Sequence, residues 1–395
     1  MIPRTILWIS LLIAGSFPAL ALSQQATVDS ETSAPSDHQA HTSVSGDHDG
    51  TMGDHDEMMG DHDGAMGDHE GMHHDHGVDH NTPASLKCTH ILEPGEWMIG
   101  YRYSNTYMGG NQTGTTSLGN QQALNFPSSF TPPGSMYTMV PTSMTMEMHM
   151  MDIMRGITDD VTLYLMPMWM DNTMNMLVND GTTSRMTNGG FSDLPFGALW
   201  RLYHDSTDEI ILDIGFSAPT GDIHNMTMMP MGMGMSMPMV FPYTMRLGHG
   251  TWDACPGITY RHYWDHASFG LQGTFDLPMG MNDEQYQVGN EYHVTAWLAY
   301  LLDAKKAIAA TFRIEGLWRS NYVGADPQLD PTMTSESDPT MRGGDYLNFG
   351  YGLMWRLPGH LGVLEGEFVQ PIVQNVRGMQ ETTEASFAVR YVAMF

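Results

Sequence analysis

From Glu96 to Phe395 the chain repeats one pattern, apolar and polar positions alternating with a period of two over segments of about ten residues. In the last segment Ala385, Phe387, Val389, Tyr391, Ala393 and Phe395 share one face, and Ser386, Ala388, Arg390, Val392 and Met394 share the other. Ile308, Ala310, Phe312 and Ile314 alternate in the same way with Ala309, Thr311, Arg313 and Glu315. Leu347, Phe349, Tyr351, Leu353 and Trp355 alternate with Tyr346, Asn348, Gly350, Gly352 and Met354. One face suits lipid and the other a lumen. Twelve such segments predict an all-β fold, a twelve-stranded antiparallel transmembrane β-barrel over residues 92–395.

The connections give the orientation. Short turns are expected after the even strands, at 155–159, 204–207, 262–267, 302–306 and 356–361. Longer ones are expected after the odd strands, at 105–141, 171–193, 218–250, 278–291 and 318–343, with a shorter last one at 374–382. An outer-membrane barrel has short periplasmic turns, long external loops and both chain ends in the periplasm. A soluble secreted β-sandwich is the rival, but its loops need not alternate in length. Trp97, Trp169, Trp200, Trp252, Trp264, Trp318 and Trp355 fall near strand ends, where interfacial girdles belong, and the terminal Phe395 suits barrel assembly.

Residues 1–21 read as a signal peptide, with basic Arg4, an apolar Ile6–Ala14 core and an Ala19-Leu20-Ala21 cleavage site. Leu22 follows, not the cysteine of a lipoprotein. Residues 22–91 read as a disordered His/Asp/Met-rich tail, expected in the periplasm. His41, His48, His55, His62, His69 and His76 recur every seven residues. The seam of a coiled coil would hold Gly, Asp and His, which cannot bury apolar surface. Imidazole, carboxylate and thioether in each copy point instead to metal collection, by those histidines with His73, His74 and His80 and with Asp47, Asp54, Asp61 and Asp68. The plain alternative is a solvated acidic linker.

Of the formal charge of -29, residues 37–80 supply twelve acids and no lysine or arginine, which argues against a nucleic-acid partner. No apolar run after the signal peptide is long enough for a membrane helix, so the lipid bilayer would be met by strands. Cys88 and Cys255 could form a disulfide, remain two thiols, or contribute to a metal site.

The 38 methionines cluster, eleven between Met144 and Met176 and nine between Met226 and Met245. If Val161, Leu163, Leu165, Pro167 and Trp169 face lipid, Met166, Met168 and Met170 face the lumen. Glu147 and His149 avoid hydrocarbon and are expected inside, which would put Met144, Met146, Met148 and Met150 on the lipid side as flexible filler. Met226, Met228, Met229, Met231, Met233, Met235, Met237 and Met239 crowd one external loop. Thioethers select Cu(I), whereas imidazole and carboxylate suit Cu(II), zinc or nickel, so copper ions are the expected bound ligand, with another divalent metal such as zinc the alternative.

The run Thr142–Gly156 with its alternating methionines, then Asp160–Met170, resembles a hairpin of Gram-negative outer-membrane transporter-like proteins of the meta-pathway phenol-degradation family. Gly250-Thr251-Trp252-Asp253, Pro256-Gly257, Ala325-Asp326-Pro327 and Asp338-Pro339 before Arg342-Gly343-Gly344 resemble its later landmarks. The resemblance implies an outer-membrane barrel with a transport-like role. The tail separately resembles the N-terminus of copper-resistance outer-membrane protein B. No motif pairs a nucleophile with a base, so no catalytic residue is expected. Four readings follow: a barrel handling metal ions, copper first; a passive channel for small hydrophobic or aromatic solutes; a metal-buffering protein with a closed barrel; and an unrecognised barrel enzyme. Arg102, Glu147, Arg201, Asp213, Asp253, Asp276, Arg313, Glu315, Glu365, Glu367 and Arg390 form the expected inward set, which makes the lumen polar.

Overall fold

The structure, a computed structural model, describes residues 82–395 except 88, 128, 129, 131–135 and 233, and except the side chains of 230–232 and 360. The signal peptide and the tail ligands His41 to His80 and Asp47 to Asp68 lie outside the described residues.

Twelve antiparallel strands can be traced among the described residues: β1 Trp97–Gly114, β2 Met139–Thr158, β3 161–178, β4 183–204, β5 Asp208–Ala218, β6 253–263, β7 Ala267–Pro278, β8 Glu291–Leu301, β9 Ile308–Arg319, β10 Gly344–Arg356, β11 363–376 and β12 379–394. Three of them, β3, β4 and β6, are interrupted, at 166–167, 192–193 and 255–256. The first break keeps its hydrogen bonds, because Met166 N donates to the Pro195 carbonyl across it. Glycine at 378 has φ 76°, the left-handed backbone that lets β11 turn tightly into β12. The ring closes where β1 pairs with β12, Met98 opposite Met394, and with β2, Met98 opposite Met154.

Period-two alternation dictates the two faces. Ile99, Leu163, Leu202, Ile214, Phe312, Leu353 and Val389 are exposed on the outside, an apolar belt without a protein partner. All seven girdle tryptophans are exposed. Trp97, Trp200, Trp264 and Trp355 stand at the short-turn end, Trp252 and Trp318 at the other. The core lies inside the ring.

Ring strands run well into three of the connections expected after odd strands: β1 continues to Gly114 within 105–141, β11 and β12 meet across 377–378 within 374–382, and the change is largest at 171–193. Residues 171–193 are not a loop: β3 and β4 continue as a hairpin, pairing from Trp169–Phe191 to Leu177–Thr183. With the upper part of β2 they form a tongue standing above the ring. Its outward positions, Asp171, Thr173 and Asn175, are polar, as a surface beyond the hydrocarbon requires.

Candidate functional site

The lumen is filled from the chain itself. Residues 82–87 and 89–92 precede β1 and run inside the barrel, with Thr82, Ala84, Leu86, Thr89, His90 and Leu92 all buried. They form no strand, so their backbone polar groups find side chains of the wall. Leu92 N donates to Thr162 Oγ1 (2.8 Å), Arg261 Nη1 to the Thr89 carbonyl (3.0 Å), Gln272 Nε2 to the Lys87 carbonyl (3.1 Å), Arg102 Nη2 to the Leu86 carbonyl (3.0 Å) and Ser85 N to Glu367 Oε2 (2.9 Å). Residues 82–87 and 89–91, part of the stretch read as tail, are thus held against side chains of the barrel strands.

The wall over β1–β4 is lined by thioethers. Met98, Met144, Met154, Met166, Met174, Met176 and Met186 are buried and inward. Met166, Met168 and Met170 sit on the inner face as the alternation requires, Met168 opposite Met150 and Met170 opposite Met148. The placement of the neighbouring strand is the reverse of expectation. Met144, Met146, Met148 and Met150 share the inner face with Asp152, while Glu147 and His149 point outward. His149 Nδ1 lies 2.7 Å from the Tyr101 hydroxyl, and Asn105 Nδ2 donates to Glu147 at 3.3 Å. Hydrogen bonds to neighbouring side chains satisfy both outward polar groups.

Facing the thioethers, β6–β12 carry ion pairs. Asp152 Oδ2 from β2 accepts from Arg390 (3.0 Å) and Arg102 (3.4 Å). Arg313 pairs with Glu367 (2.5 Å) and Glu315 (3.2 Å), and Arg319 with Glu291 (2.6 Å). His293 stands between Glu315 (3.1 Å) and Glu291 (3.5 Å). Of the expected inward set only Glu147 lies outside.

The long loops fold back over this lumen. Arg246 from the loop 219–252 pairs with Asp326 from the loop 320–343 at 2.5 Å and donates to the Tyr286 hydroxyl from the loop 279–290. Thr334 to Asp338 are all buried. Within the first loop a hairpin, Met226–Gly232 with Met235–Val240, carries the second methionine group. Met229 is buried against Met144, Met174, Met186, Met245 and Met333, and Met239 packs at its edge, whereas Met226, Met228, Met235 and Met237 are exposed. The Met231 side chain and Met233 lie outside the described residues. His249, in the same loop, lies 2.5 Å from Asp253, and its backbone N donates to Asp193. Burial opposes its charging, but the hydrogen bond to Asp253 and the fields of Asp253 and Asp193 push the imidazole up to about 9. Cys255 is a buried thiol, and Cys88 lies outside the described residues.

Strand residues and the loop residues Thr244, Tyr322, Glu336 and Arg342 enclose a cavity of about 270 Å³. Met108, Met144, Leu317, Val369 and Pro371 give it an apolar side, and Arg313, Glu315, Arg319, Glu336, Arg342 and Glu381 a charged one. Sequence reasoning found Arg313 and Glu315 by their alternation. It missed Arg319, Glu336, Arg342 and Glu381, which loops and strand ends bring together.

The fold has a counterpart. An outer membrane channel from Pseudomonas putida F1, known from its crystal structure, superposes with a TM-score of 0.52 at 12% identity, covering 80% of this chain and 99% of the channel. The chain folds as an outer-membrane β-barrel. The β domain of the Bordetella autotransporter BrkA aligns more loosely, with a TM-score of 0.41 at 8% identity over 76% of this chain and 100% of that domain. No family model and no curated protein matches the sequence.

Proposed function

We propose that this protein is a channel for small amphipathic solutes, aromatic ones among them, narrowed by residues 82–92 on the periplasmic side and by the folded loops outside. The observation that carries this reading is the cavity, where thioethers and aliphatic groups face ion pairs across one small space. A lumen wholly charged would favour hydrated ions, and one wholly apolar would retain an aromatic solute. The mixed wall gives contacts of both kinds, with polarizable sulfur for an aromatic ring. The likeness in fold to a channel is consistent with this reading. Proteoliposome swelling tests it: phenol-sized solutes should enter faster than into protein-free vesicles, and rates should fall steeply with solute size. Equal rates with and without protein would overturn it.

Metal handling is a second reading, favoured by the inward thioethers of β2 and β3 and by the exposed Met226, Met228, Met235 and Met237. In it, copper ions, or another divalent metal such as zinc, are bound ligands rather than catalytic cofactors, and the tail lies in the periplasm as a metal collector. Growth and metal content of a deletion strain under copper test it. An unchanged strain would exclude it.

A further inference from the structure

Both side-chain oxygens of Glu381 are buried and have no hydrogen-bond partner, and among the described residues no lysine, arginine or histidine forms an ion pair with it. Glu381 lines the cavity. The other charges nearby are already committed, Glu315 to Arg313 and His293, and Glu291 to Arg319. Arg342, whose field reaches Glu381, donates Nη1 to Glu336 at 2.6 Å and Nη2 to the Ser335 carbonyl at 3.0 Å. Its Nε has no partner although the residue is only 4% exposed, and Thr244 Oγ1, also on the cavity wall, has none.

Native interiors rarely leave such groups unsatisfied, and burial together with the field of Glu336 pushes the Glu381 carboxyl up to about 9, so that it gives up its proton there only beside a counter-charge. The set defines what would satisfy it. Glu381 calls for a cation with N–H donors, Arg342 Nε for an acceptor, and Thr244 for either. Met108, Met144, Leu317, Val369 and Pro371 provide for an apolar body. The volume falls just below the range of roughly 300–1,000 Å³ typical of pockets for drug-sized ligands, so the ligand is small.

We propose that this cavity binds small primary ammonium compounds with an aromatic or aliphatic body, the ammonium group held by Glu381. The inference deepens the channel reading and rests on it in treating the site as a station on a solute route. Calorimetry on the full chain in detergent, with phenethylammonium chloride as probe and the uncharged 2-phenylethanol as control, tests it. Phenethylammonium should bind more tightly than the alcohol. Glu381→Gln should weaken it by about ten-fold or more, since a charge-assisted hydrogen bond is lost, and leave the alcohol within two-fold. Glu381→Asp, which keeps the charge, should retain the preference, so that a folding defect is told apart from loss of charge. Equal binding of amine and alcohol, an amine affinity unchanged by Glu381→Gln, or displacement of the amine by zinc ions held through Glu381 would each overturn the assignment. Solute flux without ammonium binding would overturn this site and leave the channel reading, whereas binding without flux would support the site and overturn the channel.

Discussion

The wall of β1–β4 and the wall of β6–β12 fill one barrel with opposite chemistries. On the first, Met144, Met154, Met174 and Met176 need only volume from their neighbours, because a thioether carries no charge and is a weak acceptor. On the second, Arg313, Glu315, Glu367 and Arg390 each depend on a named partner, and a buried charge deprived of its partner has no water to turn to. The thioether wall should therefore tolerate replacement residue by residue. The ionic wall should fail as a network.

The largest effect is expected at the junction of the two. Asp152→Ala removes the carboxylate shared by Arg102 and Arg390 and leaves two buried guanidinium groups, a loss of roughly 3–5 kcal/mol. Urea unfolding of the refolded barrel in detergent, followed by tryptophan fluorescence, measures it. Met174→Leu on the opposite wall should cost less than about 1.5 kcal/mol in the same assay, because volume and apolarity are kept. If the methionine change proved the costlier, the distinction between the walls would fail.

The next effect concerns ligation. Replacing His48, His55, His62 and His69 with Asn should remove most Cu(II) or zinc binding by the full chain at about pH 7.5. In the parent, binding should weaken as pH falls through roughly 6.5, where free imidazoles protonate. Calorimetry showing equal uptake by parent and variant would leave the tail as an acidic linker.

The smallest effect lies in the cap. Because His249 titrates near 9, above its unfolded value of about 6.5, its stabilisation is complete below the lower value and is lost as pH rises through the upper one. Hydrogen exchange of the loop 245–252 should quicken above pH 9 beyond its intrinsic rise, and His249→Gln should abolish that step.

These contrasts also explain what could be read from the sequence. Lipid-facing alternation in β7–β12 is strong because bulky apolar residues face bilayer while small or charged ones face inward, so strands and short turns were legible. In β2–β4 the rule inverts with height. Below the rim, apolar Leu163 and Leu165 point out, and above it polar Thr173 and Asn175 point out while Met174 and Met176 point in. The period of two was present at 171–178, and reading it by lipid chemistry alone made a strand look like a loop and turned Glu147 and His149 inward. Residues 82–92 carry no period. Their position is fixed by contacts such as Ser85 to Glu367, 282 residues apart, which no local pattern announces. Glu381 likewise becomes conspicuous only once its neighbours are seen to be paired with others.

The account's central claim is that residues 82–92 narrow the lumen on the periplasmic side, and planar-bilayer conductance tests it most directly. A chain in which Thr82–Thr89 is replaced by a flexible Gly/Ser stretch of equal length should insert normally and conduct several-fold more current than the parent. Equal conductance of the two, with insertion verified, would contradict the claim.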